Sequence, residues 1–209
     1  MRFSPLPRFV KYSLLILVIL TLFVPLPFVI LVPGPATDVL GPVVQVPSKF
    51  ADKVPTPSGK LMLTTVSIST PNAKVFGFEI LARWIQADGV VVPKSVVYDP
   101  HADIEKINKE SLAEMDNSQN TAIISAFNYL NSSEPDLAPY LRSGELNDQL
   151  VHFDLPNTGG PSGGLIFALG IVEKLNSAQL VNGRFIAGTG TINKKGEVGP
   201  IGGIEDKLI

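Results

Sequence analysis

The longest apolar run of the chain lies near its start, where residues 12–32 contain no charged side chain. A run of this length can cross the hydrocarbon core of a bilayer as a helix. Residues 1–11 carry positive charge and no acid, which favours a cytoplasmic N-terminus. The pattern predicts one transmembrane anchor at the cell membrane, with the rest of the chain extracytoplasmic. Pro25 and Pro27 predict an irregular outer end.

A cleaved signal peptide is the alternative interpretation of the same run. The apolar stretch is longer than an ordinary signal core, and no small-x-small cleavage site follows it. We favour the uncleaved anchor for these two reasons.

Extended structure is predicted in several later segments. Residues 33–57 are rich in proline and small side chains, which predicts a stalk with one edge strand around 43–46. Residues 60–69 are rich in β-forming residues between turn signals and predict a strand. Alternating apolar positions over 150–155 predict another strand. The segment 184–192 predicts one more, followed by a hairpin turn, and its glycines would allow neighbours to approach the backbone closely.

Helical spacing of apolar residues predicts the remaining elements. Residues 75–86 predict a short helix, with Phe78 and Trp84 in the core. Residues 104–130 are also helical in character, and the polar patch 116–120 is expected to break them into two helices. Together with the strands, these helices predict an α+β domain.

The composition excludes several classes of function. A formal net charge of −2 and an isoelectric point near 5.7 provide no basic surface, so a nucleic-acid partner is not expected. The absence of cysteine excludes disulfides, thiolate metal sites and cysteine nucleophiles. His101 has no metal ligands near it in sequence, and the loop 159–164 lacks the Gly-Lys-Ser/Thr ending of a phosphate-binding loop. We therefore expect no metal, no ATP and no other cofactor.

A serine between glycines is the strongest candidate for chemistry. Ser162 lies in the sequence Gly-Gly-Pro-Ser-Gly-Gly, residues 159–164. Pro161 suits the first turn of a helix, and the apolar run after it predicts a buried helix ending near Leu175. Free N–H groups at a helix start can hold an oxyanion, so Ser162 is a candidate nucleophile. The alternative is a glycine-rich turn in which Ser162 is an ordinary N-cap.

Three short elements near the C-terminus carry a family resemblance. They are Gly-Pro-Ser-Gly-Gly at 160–164, Ala-Gly-Thr-Gly at 187–190 and Gly-Gly-Ile-x-x-Lys at 202–207. In this order and spacing they resemble the proteolytic domain of Lon-type serine proteases. The most similar branch is the membrane-anchored, ATP-independent one of Gram-positive bacteria. The resemblance is close over 150–209 and loose over 12–130.

The resemblance implies a Lon protease-like α+β domain over residues 58–209 with a catalytic serine–lysine dyad. The family's serine and lysine fall on Ser162 and Lys207. The supporting positions, for the oxyanion and for the orientation of the lysine, fall on Gly160, Pro161, Gly163 and Thr189. The implied activity is ATP-independent serine endopeptidase cleavage of exported or membrane-associated proteins and peptides. A homo-oligomer is compatible with this family.

The proposed base must be neutral before it can take a proton from the serine. A lysine loses its charge near neutral pH only when burial lowers its pKa. The apolar neighbours of Lys207 in sequence favour burial, whereas Glu205 and Asp206 would hold it charged unless they point to solvent.

The sequence departs from the family pattern in several places. Only residues 131–149 occupy the position where the membrane-anchored relatives carry a PDZ domain, so that domain is expected to be absent. Gly163 replaces the usual alanine, and Gly159 replaces an acid of the ATP-dependent members. The relatives continue well beyond the lysine, which implies a C-terminally incomplete domain here. The alternative function is thus an inactive, truncated relative that serves as a membrane-anchored binding or scaffold module.

A different serine hydrolase is the last alternative. His152 and Asp154 precede Ser162 and could form a histidine-containing triad with it. They lie two positions apart on a strand face that is expected to meet solvent or a partner, so we favour the dyad.

Overall fold

We analysed a computed structural model that describes residues 7–54, 56–99, 103–156, 158–203 and Lys207. These residues form a mixed α/β structure in which no sheet exceeds three strands. Its helices are α1 (Arg8–Phe23), α2 (Ser48–Ala51), α3 (Gly77–Gln86), α4 (Lys94–Val97), α5 (Ile104–Ser133), α6 (Ala138–Ser143) and α7 (Gly164–Leu175). Its strands are β1 (Pro25–Leu26), β2 (Phe28–Pro33), β3 (Thr37–Asp38), β4 (Val44–Gln45), β5 (Lys60–Leu63), β6 (Val66–Ile68), β7 (Val75–Phe76), β8 (Val90–Pro93), β9 (His152–Phe153), β10 (Phe185–Gly188), β11 (Thr191–Ile192) and β12 (Val198–Gly199).

The N-terminal anchor expected over residues 12–32 is wrong. Helix α1 has 16 residues, about 24 Å at 1.5 Å per residue, whereas a bilayer core is about 30 Å thick. The helix ends because Val24, which precedes Pro25, is extended, as the residue before a proline usually is. Residues 25–26 and 28–33 then form strands β1 and β2. In the part of the chain that the structure describes, no helix is both long and apolar enough to span a membrane.

Two further expectations change with this finding. The fold class, a Lon protease-like α+β domain preceded by one transmembrane helix, is wrong, because the chain has small separate sheets and no such helix among its described residues. The single-pass cell-membrane localisation, with an extracytoplasmic catalytic domain, is wrong for the same reason. A count of uncharged residues cannot distinguish one long helix from a shorter helix followed by strands.

The chain divides into two compact units. The first comprises residues 7–33 and 66–99. At its centre β2 pairs antiparallel with both β6 and β8, and β1 pairs antiparallel with β7. Val29 on β2 and Val75 on β7 are its buried apolar side chains among the described residues.

The second unit comprises residues 34–65 and the described residues from 103 onward. Strand β5 lies between β3, to which it is antiparallel, and β10, to which it is parallel. Two short antiparallel pairs, β4 with β9 and β11 with β12, complete its strands. Helices α5 and α7 pack against each other over a core that includes Leu130, Phe167 and Ile171, all fully buried. This packing fixes the start of α7, where the serine loop lies.

Several predicted elements of the second unit are confirmed. The buried helix after the serine loop ends at Leu175, as expected. The segment 184–192 is extended as β10 and β11, and Gly188 and Gly190 leave no room for a side chain beside Ile166 and Leu165. The turn after β11 closes through a hydrogen bond from the Gly196 N–H to the Asn193 carbonyl at 3.0 Å.

Other predicted elements differ in detail. The polar patch 116–120 does not interrupt α5, which is one helix of 30 residues. The strand expected over 60–69 is divided into β5 and β6, which belong to different units. Trp84 and Phe78 are not in a core, because they are 79% and 44% exposed. The edge strand expected near 43–46 is confirmed as β4, which follows a kinked segment at Val39–Val43 in which Gly41 has a non-helical backbone conformation.

Candidate active site

The serine loop reaches α7 through a sharp change of backbone direction. Gly160 has φ = +87°, a left-handed conformation that glycine adopts without steric cost. Ser162 then precedes the N-cap residue Gly163, whose carbonyl accepts the first helical hydrogen bond from the Phe167 N–H at 3.0 Å. Ser162 is partly buried and stands directly before the helix, as the sequence predicts.

Helix α5 holds the loop from one side. The Gly160 N–H donates to the Ser111 carbonyl at 2.9 Å, and the Ser118 hydroxyl donates to the Pro161 carbonyl, also at 2.9 Å. Ser118 is a buried residue, at 6% exposed. Gly159 also lies against α5, because a Cβ there would come within 2.1 Å of the Ser111 hydroxyl.

The segment after β10 holds the loop from another side. The Ser162 carbonyl accepts a hydrogen bond from the Gly190 N–H at 2.7 Å and a second from the Thr189 hydroxyl at 3.0 Å. In return, the Leu165 N–H donates to the Gly190 carbonyl at 3.0 Å. These bonds fix the main chain on both sides of Ser162.

Lys207 completes a cluster of three polar side chains. Its Nζ lies 2.9 Å from the Ser162 Oγ and 3.1 Å from the Thr189 Oγ1. Burial of the amine lowers the pKa of Lys207 from its ordinary value of 10.5. No ion pair in the described part of the chain includes this lysine. The structure therefore brings Ser162, Thr189 and Lys207 into one hydrogen-bonded group.

Several main-chain donors beside the serine have no acceptor among the described residues. Within the described residues, no hydrogen bond involves the N–H groups of Ser162, Gly163 or Gly164. Unpaired N–H groups at a helix start carry partial positive charge and attract anions. The family resemblance implies that Gly160, Pro161 and Gly163 support an oxyanion site. All three belong to the loop 159–164, which presents these donors.

A cavity of about 380 Å³ lies next to the serine–lysine pair. It is lined by Pro161, Ser162, Thr191, Pro200, Ile201, Gly202 and Lys207. A larger cavity of about 560 Å³ lies between α5 and α7 and contains none of the three clustered side chains. We take the smaller cavity as the candidate site because it contains Ser162 and Lys207, whose side chains are hydrogen-bonded to each other.

The other candidate residues are not in this cluster. His152 is exposed on β9, and in the described part of the chain no hydrogen bond joins it or Asp154 to Ser162. His101, Glu205 and Asp206 lie outside the described residues. Two residues that the sequence did not single out, Ser111 and Ser118, hold the serine loop. Their helical spacing of seven residues puts them on one face of α5, but only the fold shows that this face meets the loop.

Comparison with known proteins adds no relative. No family model matches the chain, and neither a curated protein nor a solved structure matches it. The function must therefore be argued from the geometry of the cluster and from the three sequence elements that carry its residues.

Proposed function

We propose that this protein is an ATP-independent serine endopeptidase in which Ser162 is the nucleophile and Lys207 is the general base. The observation that carries the proposal is the distance of 2.9 Å between the Lys207 Nζ and the Ser162 Oγ. This distance lies within the range over which a base can take a proton from a hydroxyl.

The protonation state of Lys207 supports this role. A charged ammonium has no lone pair and cannot accept the proton, whereas the neutral amine can. Burial lowers the pKa of Lys207, which increases the neutral fraction at a given pH. The Thr189 hydroxyl, 3.1 Å from the Nζ, directs the amine toward the serine.

The reaction follows from these positions. The Ser162 Oγ attacks the carbonyl carbon of a peptide bond while its proton passes to the Lys207 amine. The carbonyl oxygen becomes an oxyanion, which the unpaired N–H groups at the start of α7 stabilise. The C–N bond then breaks, the leaving amine takes the proton from Lys207, and an acyl ester remains on Ser162. Water hydrolyses the ester with Lys207 again as the base, which restores the free hydroxyl.

The resemblance of the three sequence elements to Lon-type proteases favours a peptide over another acyl substrate. The cavity beside the dyad combines the apolar side chains of Pro161, Pro200 and Ile201 with a few polar ones, a composition that suits a protein or peptide substrate. No step of this chemistry needs a nucleotide.

The test is cleavage of unfolded casein by the full chain, followed by mass spectrometry of the products. We expect Ser162→Ala to reduce cleavage about 10³-fold or more, because the acyl-enzyme can no longer form. Ser132→Ala, which removes an exposed hydroxyl on α5, is the matched control and should retain full activity. Cleavage that survives Ser162→Ala would contradict the proposal. Its absence in the unmodified protein would favour a binding or scaffold module.

A further inference from the structure

We infer that Ser118 is a positioning residue that orients the Ser162 N–H as a donor to the oxyanion. The inference rests on the proposed function, since it concerns the same reaction. It starts from the hydrogen bond of 2.9 Å that the Ser118 hydroxyl donates to the Pro161 carbonyl. That carbonyl and the Ser162 N–H belong to one peptide group.

The geometry of the peptide group relates the direction of the Pro161 carbonyl to that of the Ser162 N–H. Every peptide bond among the described residues is trans. In a planar trans peptide the C=O and the N–H point in opposite directions. Because the Pro161 carbonyl is directed to Ser118 on α5, the Ser162 N–H is directed away from α5. The side chain of Ser118 thus sets the direction of a donor that it does not touch.

The next peptide group is held in the same way. The Ser162 carbonyl accepts hydrogen bonds from Gly190 and Thr189, which directs the Gly163 N–H to the opposite side. Two consecutive peptide groups around the nucleophile therefore have anchored carbonyls. Their N–H groups have no acceptor in the described part of the chain. Carbonyls held in this way keep the two N–H groups in fixed directions, so as oxyanion donors they need no reorganisation during the reaction.

The surroundings of Ser118 favour its hydrogen bond to the Pro161 carbonyl. Ser118 is 6% exposed, and within the described residues its hydroxyl has the Pro161 carbonyl as its hydrogen-bond acceptor. A Cβ on Gly164 would lie 2.9 Å from the Ser118 Oγ, so glycine at 164 allows the helix start to approach α5. A hydrogen bond to the carbonyl also polarises the peptide group and strengthens its N–H as a donor.

Helix α5 supplies a matched control for this role. Ser125 lies seven residues after Ser118, on the same face, and is also buried, at 7% exposed. Within the described residues, the Ser125 hydroxyl forms no hydrogen bond, either to the serine loop or to any other group. Ser125→Ala therefore removes the hydroxyl of a buried serine on the same helix without releasing the Pro161 carbonyl.

The experiment compares Ser118→Ala, Ser118→Cys and Ser125→Ala in the full chain, with a fluorogenic casein-derived peptide as the substrate. Removing a direct oxyanion donor costs about 10²–10³-fold in kcat, and misorienting one should cost about tenfold. We expect both Ser118 variants to lose about tenfold in kcat with KM within about twofold of the unmodified protein. The pH dependence should be unchanged because Lys207 is not altered. Ser118→Cys keeps the volume with a weak donor, so it separates loss of the bond from loss of packing.

Three other outcomes would overturn the inference, and each points to a different explanation. If the Ser118 variants retain as much kcat as Ser125→Ala, the hydroxyl does not position the donor. If KM changes instead of kcat, or if the loss follows the melting temperature of each variant, Ser118 has only a structural role. If the unmodified protein shows no Ser162-dependent cleavage, the proposed function and this inference fail together.

Discussion

At the scale of single residues, catalysis by the proposed dyad depends on the neutral fraction of Lys207. Burial lowers the pKa of this lysine below 10.5, and only the deprotonated amine can act as the base. We expect kcat/KM to rise as the pH increases through the lowered pKa and to level off above it. The measurement is a profile of kcat/KM against pH with the casein-derived peptide.

Two substitutions test whether the pH dependence of kcat/KM comes from Lys207. Lys207→Arg keeps a cation in the same place but cannot deprotonate in a protein, so activity should be lost at every pH. Lys194→Arg, on the exposed turn after β11, should retain both the activity and the pH profile. A rate in the unmodified protein that rises only at about pH 10.5, the ordinary pKa of a lysine, would contradict a base whose pKa is lowered by burial.

Thr189 is expected to act on the rate through the lysine. Its hydroxyl contacts the Lys207 Nζ and also donates to the Ser162 carbonyl. Thr189→Val removes both interactions with little change in volume and should lower kcat about tenfold or more, because the amine loses its orientation. Thr189→Ser keeps the hydroxyl and should retain most of the activity. A loss in Thr189→Ser as large as that in Thr189→Val would argue against a specific role for the Thr189 hydroxyl.

Ser162 could be named from its place before a predicted helix, whereas Thr189 and Lys207 could be named only through the family resemblance. Ser162, Thr189 and Lys207 are 45 positions apart from first to last, and no periodicity predicts that they meet. Their order and glycine context allowed the prediction, and the structure brings the three side chains together. Ser118 could not be predicted in this way, because its partner is a backbone carbonyl and any residue at 161 would provide one.

At the scale of secondary structure elements, the start of α7 depends on the absence of a side chain at 163. A Cβ there would lie 2.6 Å from the ring of Phe167, which is fully buried and cannot move aside freely. Overpacking of this kind costs about 1–3 kcal/mol. The gain from replacing glycine by alanine in a compatible conformation is about 0.4–1 kcal/mol. We therefore expect Gly163→Ala to lower the free energy of unfolding by about 1 kcal/mol.

Chemical denaturation can separate the clash from other effects of this substitution. Gly202→Ala is the control, because a Cβ there meets no atom within 4 Å. Combining Gly163→Ala with Phe167→Leu should cost less than the sum of the two single changes, since the smaller side chain relieves the contact. Strict additivity of the two free energies would show that the ring is not the cause.

Helices and strands could be predicted where the sequence beside them marks where they begin and end. Helix α7 was predicted to its last residue because its apolar run is bounded by the glycine-rich loop and Asn176. The polar patch in α5 was misread as a break, although such residues occur within a helix when one face stays buried, as Ser118 does. The apolar run at 12–32 was misread as one helix because strands buried or paired on both sides are also uninterrupted apolar runs.

At the scale of the whole molecule, the two compact units differ in how much apolar surface they bury. Among the described residues, the first unit buries Val29 and Val75, and every other buried apolar side chain belongs to the second unit. Burial of apolar surface is the main favourable term in folding, so the first unit should open at a lower free energy. All three side chains of the candidate site lie in the second unit.

Native-state hydrogen exchange tests this difference with a matched pair of strands. Strands β2 and β5 each form the centre of a three-stranded sheet, in the first and the second unit respectively. We expect the paired amides of β2 to exchange at least about ten times faster than those of β5, which corresponds to about 1.4 kcal/mol in opening free energy. Equal protection of the two strands would contradict the argument from burial, because each strand is paired on both sides and the two differ in the apolar core beside them. Slower exchange in β2 would show that the first unit is stabilised by something other than the apolar side chains that it buries.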